Sequence, residues 1–235
     1  MDFSNLGPNV PPLQRLEISI AIDGATLIGD LCIPGRSSAV VLFAHGSGSS
    51  RHSSRNRAVA QALHEKGLAT LLIDLLSVEE EETDRVTGHL RFDIPFLSQR
   101  LAEAVAWLRV SSETRDMRIG LFGASTGAAA ALATAAALPE AIGAVVSRAG
   151  RPDLASHVLP SVKSPTLFIV GGNDDWVLSA NQRAYKLLDC KKKFVIVPGA
   201  THLFEEPGAL DQVAASAGDW FHDHLFFPHC KTGVA

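Results

Sequence analysis

The sequence predicts an α/β fold: a mostly parallel sheet flanked by helices, opening on an N-terminal antiparallel hairpin. Three observations carry that reading. Residues 39–44 are continuously apolar, as a strand covered on both faces must be. Further strand-length runs alternate with segments of helical periodicity, which implies parallel pairing through right-handed crossovers. Residues 118–138 join a buried strand to an alanine-rich helix through a turn only five residues long, Gly123-Ala124-Ser125-Thr126-Gly127.

Taken in order, residues 16–21 and 26–33 alternate apolar and polar positions around Asp23-Gly24, whose chemistry suits a tight hairpin turn. Pro34-Gly35 ends the hairpin before strand 39–44. A helical face with Val59 and Leu63 runs from Arg57 to Gly67, and strand 68–73 follows. The acidic run 79–84 reads as a solvated loop. Residues 94–110 place Leu97, Leu101, Val105 and Leu108 on one helical face. After the 118–138 unit come strand 141–147, strand 166–171, helix 180–188, strand 193–197 and a closing helix 210–226.

Length and composition bound the function. With 235 residues and 46% of them hydrophobic, one α/β domain over 1–235 is expected, with 1–14 and 229–235 as flexible tails. A net charge of −4, with no basic block longer than Lys191 to Lys193, gives nucleic acid no electrostatic footprint. No apolar run reaches membrane-spanning length and residues 1–14 lack the pattern of a signal peptide. Three cysteines, Cys32, Cys190 and Cys230, show no paired spacing, which argues for a reducing compartment. The expectation is a cytoplasmic protein with neither membrane nor nucleic-acid partner, its oligomeric state open.

The tight turn carries the chemistry. Glycines on both sides let the chain fold sharply enough to push Ser125 Oγ above the sheet, and the N–H of Thr126 then faces the position of a substrate carbonyl oxygen. A serine nucleophile needs a base and an orienting acid, which in such a sheet gather beyond the carboxyl ends of the strands. Strand 166–171 is followed by Asn173-Asp174-Asp175-Trp176, and strand 193–197 by Gly199-Ala200-Thr201-His202. Serine, acid and histidine thus follow the chain order of the α/β-hydrolase triad, with Asp174 and Asp175 both open as the acid.

On His45-Gly46-Ser47-Gly48, Gly123-Ala124-Ser125-Thr126-Gly127, Gly172-Asn173-Asp174 with Val177, and Gly199-Ala200-Thr201-His202, the chain resembles the dienelactone-hydrolase-like branch of the α/β-hydrolase superfamily. The resemblance spans nearly the whole chain. It implies a Ser125, Asp174, His202 triad, since the family spacing of acid to valine fits Asp174, and an oxyanion hole of the Thr126 and Ser47 N–H groups. Dienelactone hydrolases proper carry cysteine where this chain has Ser125, which turns the implied activity toward a serine esterase for small to medium esters or lactones. No cofactor or metal is implied. The segment between the strand after the elbow helix and the next is too short for the helical cap of larger superfamily members, leaving an open cleft roofed by 77–92 and 151–160. A peptidase or acyltransferase on the same triad, or a hydrolase-like receptor with little turnover, are the alternatives.

Other residues invite weaker readings. Arg51, Arg55, Arg148 and Arg151 stand near the predicted strand ends, where a guanidinium could clamp an anionic substrate; the competing reading pairs Arg151 with Asp153. Trp176 is placed beside the pocket. His45 is expected to anchor its loop, and Asp74 to fix a loop or meet an arginine. His222, Asp223, His224 and His229 do not share one helical face, so a metal site is not expected there.

Overall fold

A computed structural model of the chain describes residues 13–22, 24–35 and 37–226. Eight strands form one sheet in the order β1-β2-β4-β3-β5-β6-β7-β8. The hairpin pairs β1 (Gln14–Ile22) with β2 (Ala25–Ile33), and β2 lies antiparallel on β4 (Ala69–Ile73). All other pairings are parallel: β3 (Ala39–Ala44) with β4 and β5 (Arg118–Ala124), then β6 (Ile142–Arg148), β7 (Thr166–Gly171) and β8 (Lys192–Val197) in succession. The expected fold class is therefore the observed one. Asp23, half of the expected turn, and most of both expected tails lie outside the described residues.

Strand alternation divides the core into two layers. Val40, Leu42 and Ala44 of β3 face one layer, built with α3 (Ile94–Val110), α4 (Thr126–Ala137) and Ala184 of α5 (Asp175–Leu187). Val41 and Phe43 face the other, with Val59 and Leu63 of α1 (Ser54–Glu65) and Val213 and Phe221 of α6 (Ala209–Phe221). Every β3 residue is buried, which explains its unbroken apolar run. In α4 the buried positions are mostly alanine and glycine, so this helix can lie close over the sheet centre.

Three boundaries correct the sequence reading. Residues 79–84, read as a loop, lie within α2 (Val78–Thr87). Its start is fixed by a capping box, with the Ser77 hydroxyl accepting from Glu80 N and the Glu80 carboxylate accepting from Ser77 N, and its glutamates lie where the helix dipole favours them. The helix α1 begins at Ser54, three residues before the start at Arg57 read from the sequence, because Ser53 caps it by accepting from Asn56 N at 3.3 Å. The helix α5 begins at Asp175, directly after the acid loop. The closing helix ends as a π turn over His222–Phe226.

Candidate active site

The turn between β5 and α4 is as tight as its glycines imply. A Cβ on Gly127 would lie 2.4 Å from the carbonyl oxygens of Ala44 and His45, and one on Gly123 would lie 2.4 Å from Ala128 Cα. Between them Ser125 adopts φ 52° and ψ −120°, a conformation that costs a non-glycine residue about 1–3 kcal/mol. Such strain persists only where surrounding packing enforces it.

Ser125 occupies the N-cap of α4, yet its side chain makes no capping hydrogen bond. Asp174 occupies the N-cap of α5 with the same omission. Serine and aspartate are favoured capping residues, and a satisfied cap is worth about 1 kcal/mol. Both helices forgo it, and both side chains are left for other partners. Asp174 Oδ2 accepts from His202 Nδ1 at 2.6 Å, with the acid's side chain mostly buried and the imidazole half-buried. That bond puts the proton on Nδ1 and leaves Nε2 as the basic nitrogen. Asp175 is exposed at the first turn of α5.

The loops bearing acid and histidine are stitched together. Asn173 N donates to Ala200 O and Asn173 Nδ2 to Gly199 O, each at 2.9 Å. The Glu206 carboxylate accepts from Thr201 N at 3.0 Å and Thr201 Oγ1 at 2.6 Å, fixing the residue before His202. Two positions beyond His202, Phe204 turns with φ 56° and buries its ring.

Opposite the elbow, Gly46 faces the serine: a Cβ there would lie 3.1 Å from Ser125 Cβ. His45 anchors this loop as expected. Its Nε2 accepts from Leu75 N at 3.1 Å, so Nδ1 carries the proton and donates to Gly46 O at 2.9 Å. Burial pushes the His45 pKa down and keeps the ring neutral. As the first residue of α4, Thr126 has an N–H with no helical acceptor. Ser47 differs from the expectation: its N–H already donates to Thr126 Oγ1, at 2.8 Å.

The arginines separate sharply. Arg51 pairs with Asp74, whose carboxylate also accepts from Arg51 N at 2.7 Å, and Asp30 and Glu17 lie 3.5 Å from the same guanidinium. This corrects its reading as a substrate contact, and it places Asp74 as an arginine partner. Arg151 lies against both oxygens of Asp153, with Nε and Nη2 each at 2.9 Å from one of them, and stacks over Trp176 at 4.4 Å; its clamp reading gives way to the structural one. Trp176 remains beside the acid loop and 55% exposed. Arg148, at the end of β6, has no carboxylate partner among the described residues. Arg91, in a short 3-10 turn at Leu90–Phe92, was not singled out by the sequence reading. It holds the buried Asp84 at 2.6 Å and, with Glu81, walls a cleft shared with Ser47, Gly48 and Thr126. Among the described residues no cluster of metal-ligating side chains is found, and His224 stacks on Trp220 at 4.1 Å; His229 lies outside them. No helix among them is long and apolar enough to cross a membrane.

Comparison with known proteins follows the same lines. The model of the dienelactone hydrolase family matches residues 29–229. A protein of Mycobacterium tuberculosis named as a phosphoribosyl transferase is 51% identical over 218 residues, and the alignment covers 93% of this chain; the chain spans about half of that relative, 48% of its length. The crystal structure of dienelactone hydrolase from Anabaena variabilis superposes with a TM-score of 0.90 at 53% identity, covering 92% of this chain and all of that one. Est1E from Butyrivibrio proteoclasticus, in a structure with ferulic acid bound, shares the fold at a TM-score of 0.76 and 17% identity, covering 88% of this chain and 98% of its own.

Proposed function

This chain belongs to the dienelactone hydrolase family, and we propose that it hydrolyses small to medium carboxylic esters or lactones through an acyl-enzyme on Ser125. The observation that carries the reading is the pair of uncapped N-caps: Ser125 strained at one strand end and Asp174 at another, the latter bonded to His202 at 2.6 Å.

In this reading His202 Nε2 removes the Ser125 proton as Oγ attacks the acyl carbon, and returns it to the leaving alcohol. Asp174 holds the tautomer and stabilises the imidazolium. The Thr126 N–H receives the oxyanion. For Ser47 to serve as second donor, the oxyanion must replace Thr126 Oγ1 as its acceptor, one bond exchanged for another. Each such donor contributes about 3 kcal/mol to the barrier reduction. Water then deacylates the serine with His202 as base.

The transferase name belongs to a protein of which this chain spans about half. The test is labelling with a fluorophosphonate, followed by turnover of p-nitrophenyl esters of increasing chain length. Wild type should label once, at Ser125, and turn over the esters; Ser125→Ala should do neither while keeping its fold. Labelling elsewhere, or wild-type turnover by Ser125→Ala, refutes the proposal.

A further inference from the structure

Among the described residues, Arg148 is a guanidinium near the site for which the fold supplies no counter-charge. Its side chain leaves β6 beside the nucleophile strand: Arg148 pairs in register with Ala124, and its carbonyl accepts from Ser125 N at 3.1 Å. Only 6% of the residue is exposed, and Nε and Nη1 are buried without a hydrogen-bond partner. By contrast Arg51, Arg91, Arg100 and Arg151 each hold a carboxylate of the chain.

The surroundings of Arg148 are a ring and a second cation. The guanidinium carbon lies 5.9 Å from the centre of the Phe204 ring, two residues beyond His202. Arg55, in the first turn of α1, adds repulsion; it is held at 3.2 Å by Glu205 and has its own Nε buried and unpartnered. Burial first, then Arg55, draws the Arg148 pKa down to about 10, which still leaves it charged at neutral pH. A buried charge with unmet donors is strongly unfavourable unless something pairs with it. No acid among the described residues does so here.

We propose that Arg148 and Arg55 form a binding site for one anionic oxygen group, a carboxylate or a phosphate, between the end of β6 and the histidine loop. The group arrives either as a free anion or as part of a substrate. In its substrate-borne form the site rests on the ester-hydrolase reading and narrows it to substrates carrying a negative charge. Anion binding itself does not require Ser125 to be acylated.

The test uses the 235-residue chain carrying Ser125→Ala, in which turnover plays no part, and reads thermal unfolding at constant ionic strength. Sodium acetate, sodium phosphate and monomethyl succinate are titrated, with uncharged dimethyl succinate as the control. At about 100 times the dissociation constant, a bound anion should raise Tm by roughly 5–10 °C in a domain of this size. The rise should saturate, be absent with dimethyl succinate, and be lost in Arg148→Met on the same background. A rise with acetate or phosphate identifies a free-anion site; a rise with monomethyl succinate alone identifies a substrate carboxylate. If Arg148→Met fails to fold, Arg55→Gln on the same background should move the midpoint concentration up roughly tenfold, which takes about 1.4 kcal/mol. No saturable rise with any anion, an equal rise in Arg148→Met, or an unmoved midpoint in Arg55→Gln overturns the proposal.

Discussion

Replacing Ser125 with glycine should make the protein more stable and catalytically dead. Its backbone sits at φ 52° and ψ −120°, open to glycine at little cost and strained for serine by about 1–3 kcal/mol. Glycine also loosens the unfolded chain, which offsets about 0.4–1 kcal/mol of the relief. The expected net gain is about 1–2 kcal/mol. Ser125→Ala keeps the Cβ and hence the strain, so the difference between the two variants isolates the backbone contribution from any loss of the hydroxyl. Urea unfolding, followed by tryptophan fluorescence, measures it. With a slope near 3 kcal/mol per molar, Ser125→Gly should unfold about 0.5 M later than Ser125→Ala. Equal midpoints, or a less stable glycine variant, would refute the claim that this turn stores strain.

Three further outcomes are expected. Asp174→Asn should lower kcat on p-nitrophenyl acetate by about 10⁴-fold through the wrong imidazole tautomer, while exposed Asp175→Asn stays within a few-fold of wild type; the reverse order would reassign the acid. Gly127→Ala must push back two carbonyl oxygens 2.4 Å from the new Cβ, so it should cost about 2–3 kcal/mol in urea unfolding and about 10²-fold in kcat/KM, and wild-type values for both would show that the elbow yields. The His64 pKa falls to about 4, through burial and then Arg15; the unfolded ring takes up its proton near pH 6.5, so the stabilisation from the neutral ring is complete above that pH and lost as pH falls toward 4. After allowance for its partly open ring, His64→Gln should shrink the stability difference between pH 7 and pH 4.5 by about 1–2 kcal/mol, and an unchanged difference would remove His64 from the account.

Strands buried on both faces were the most legible: the bounds read for β3 and β7 are those observed, and those read for β4 and β6 differ by one residue. The helix α2 was missed, because Glu79 to Glu82 resemble a solvated run. The signal that separates the two was nonetheless present, as serine and glutamate three apart at Ser77 and Glu80. Of the site, Ser125, Asp174 and His202 could be located by strand-end position, and the Asp174–His202 bond joins two of them. Which arginines are free could not be read. Arg51 is neutralised by residues from β1, β2 and the end of β4, distant in sequence and adjacent only once the sheet has formed. The bond between Ser47 N and Thr126 Oγ1 was hidden for the same reason.

The order in which strands join the sheet gives the chain an arrow in time. With β3 and β4 in place, β5, β6, β7 and β8 add one after another at the same growing edge, each emerging from the ribosome after its neighbour. Ser125 follows the first of these, Asp174 the third and His202 the last. At roughly 5–20 residues per second, the proposed base is synthesised roughly 4–15 s after the nucleophile. During that interval the nascent chain has a serine at its elbow and lacks His202, the base proposed to activate it. Esterase activity on a ribosome-stalled series of lengths would therefore switch on only when the final strand and its loop have cleared the exit tunnel, making the chemistry its own report of a finished sheet.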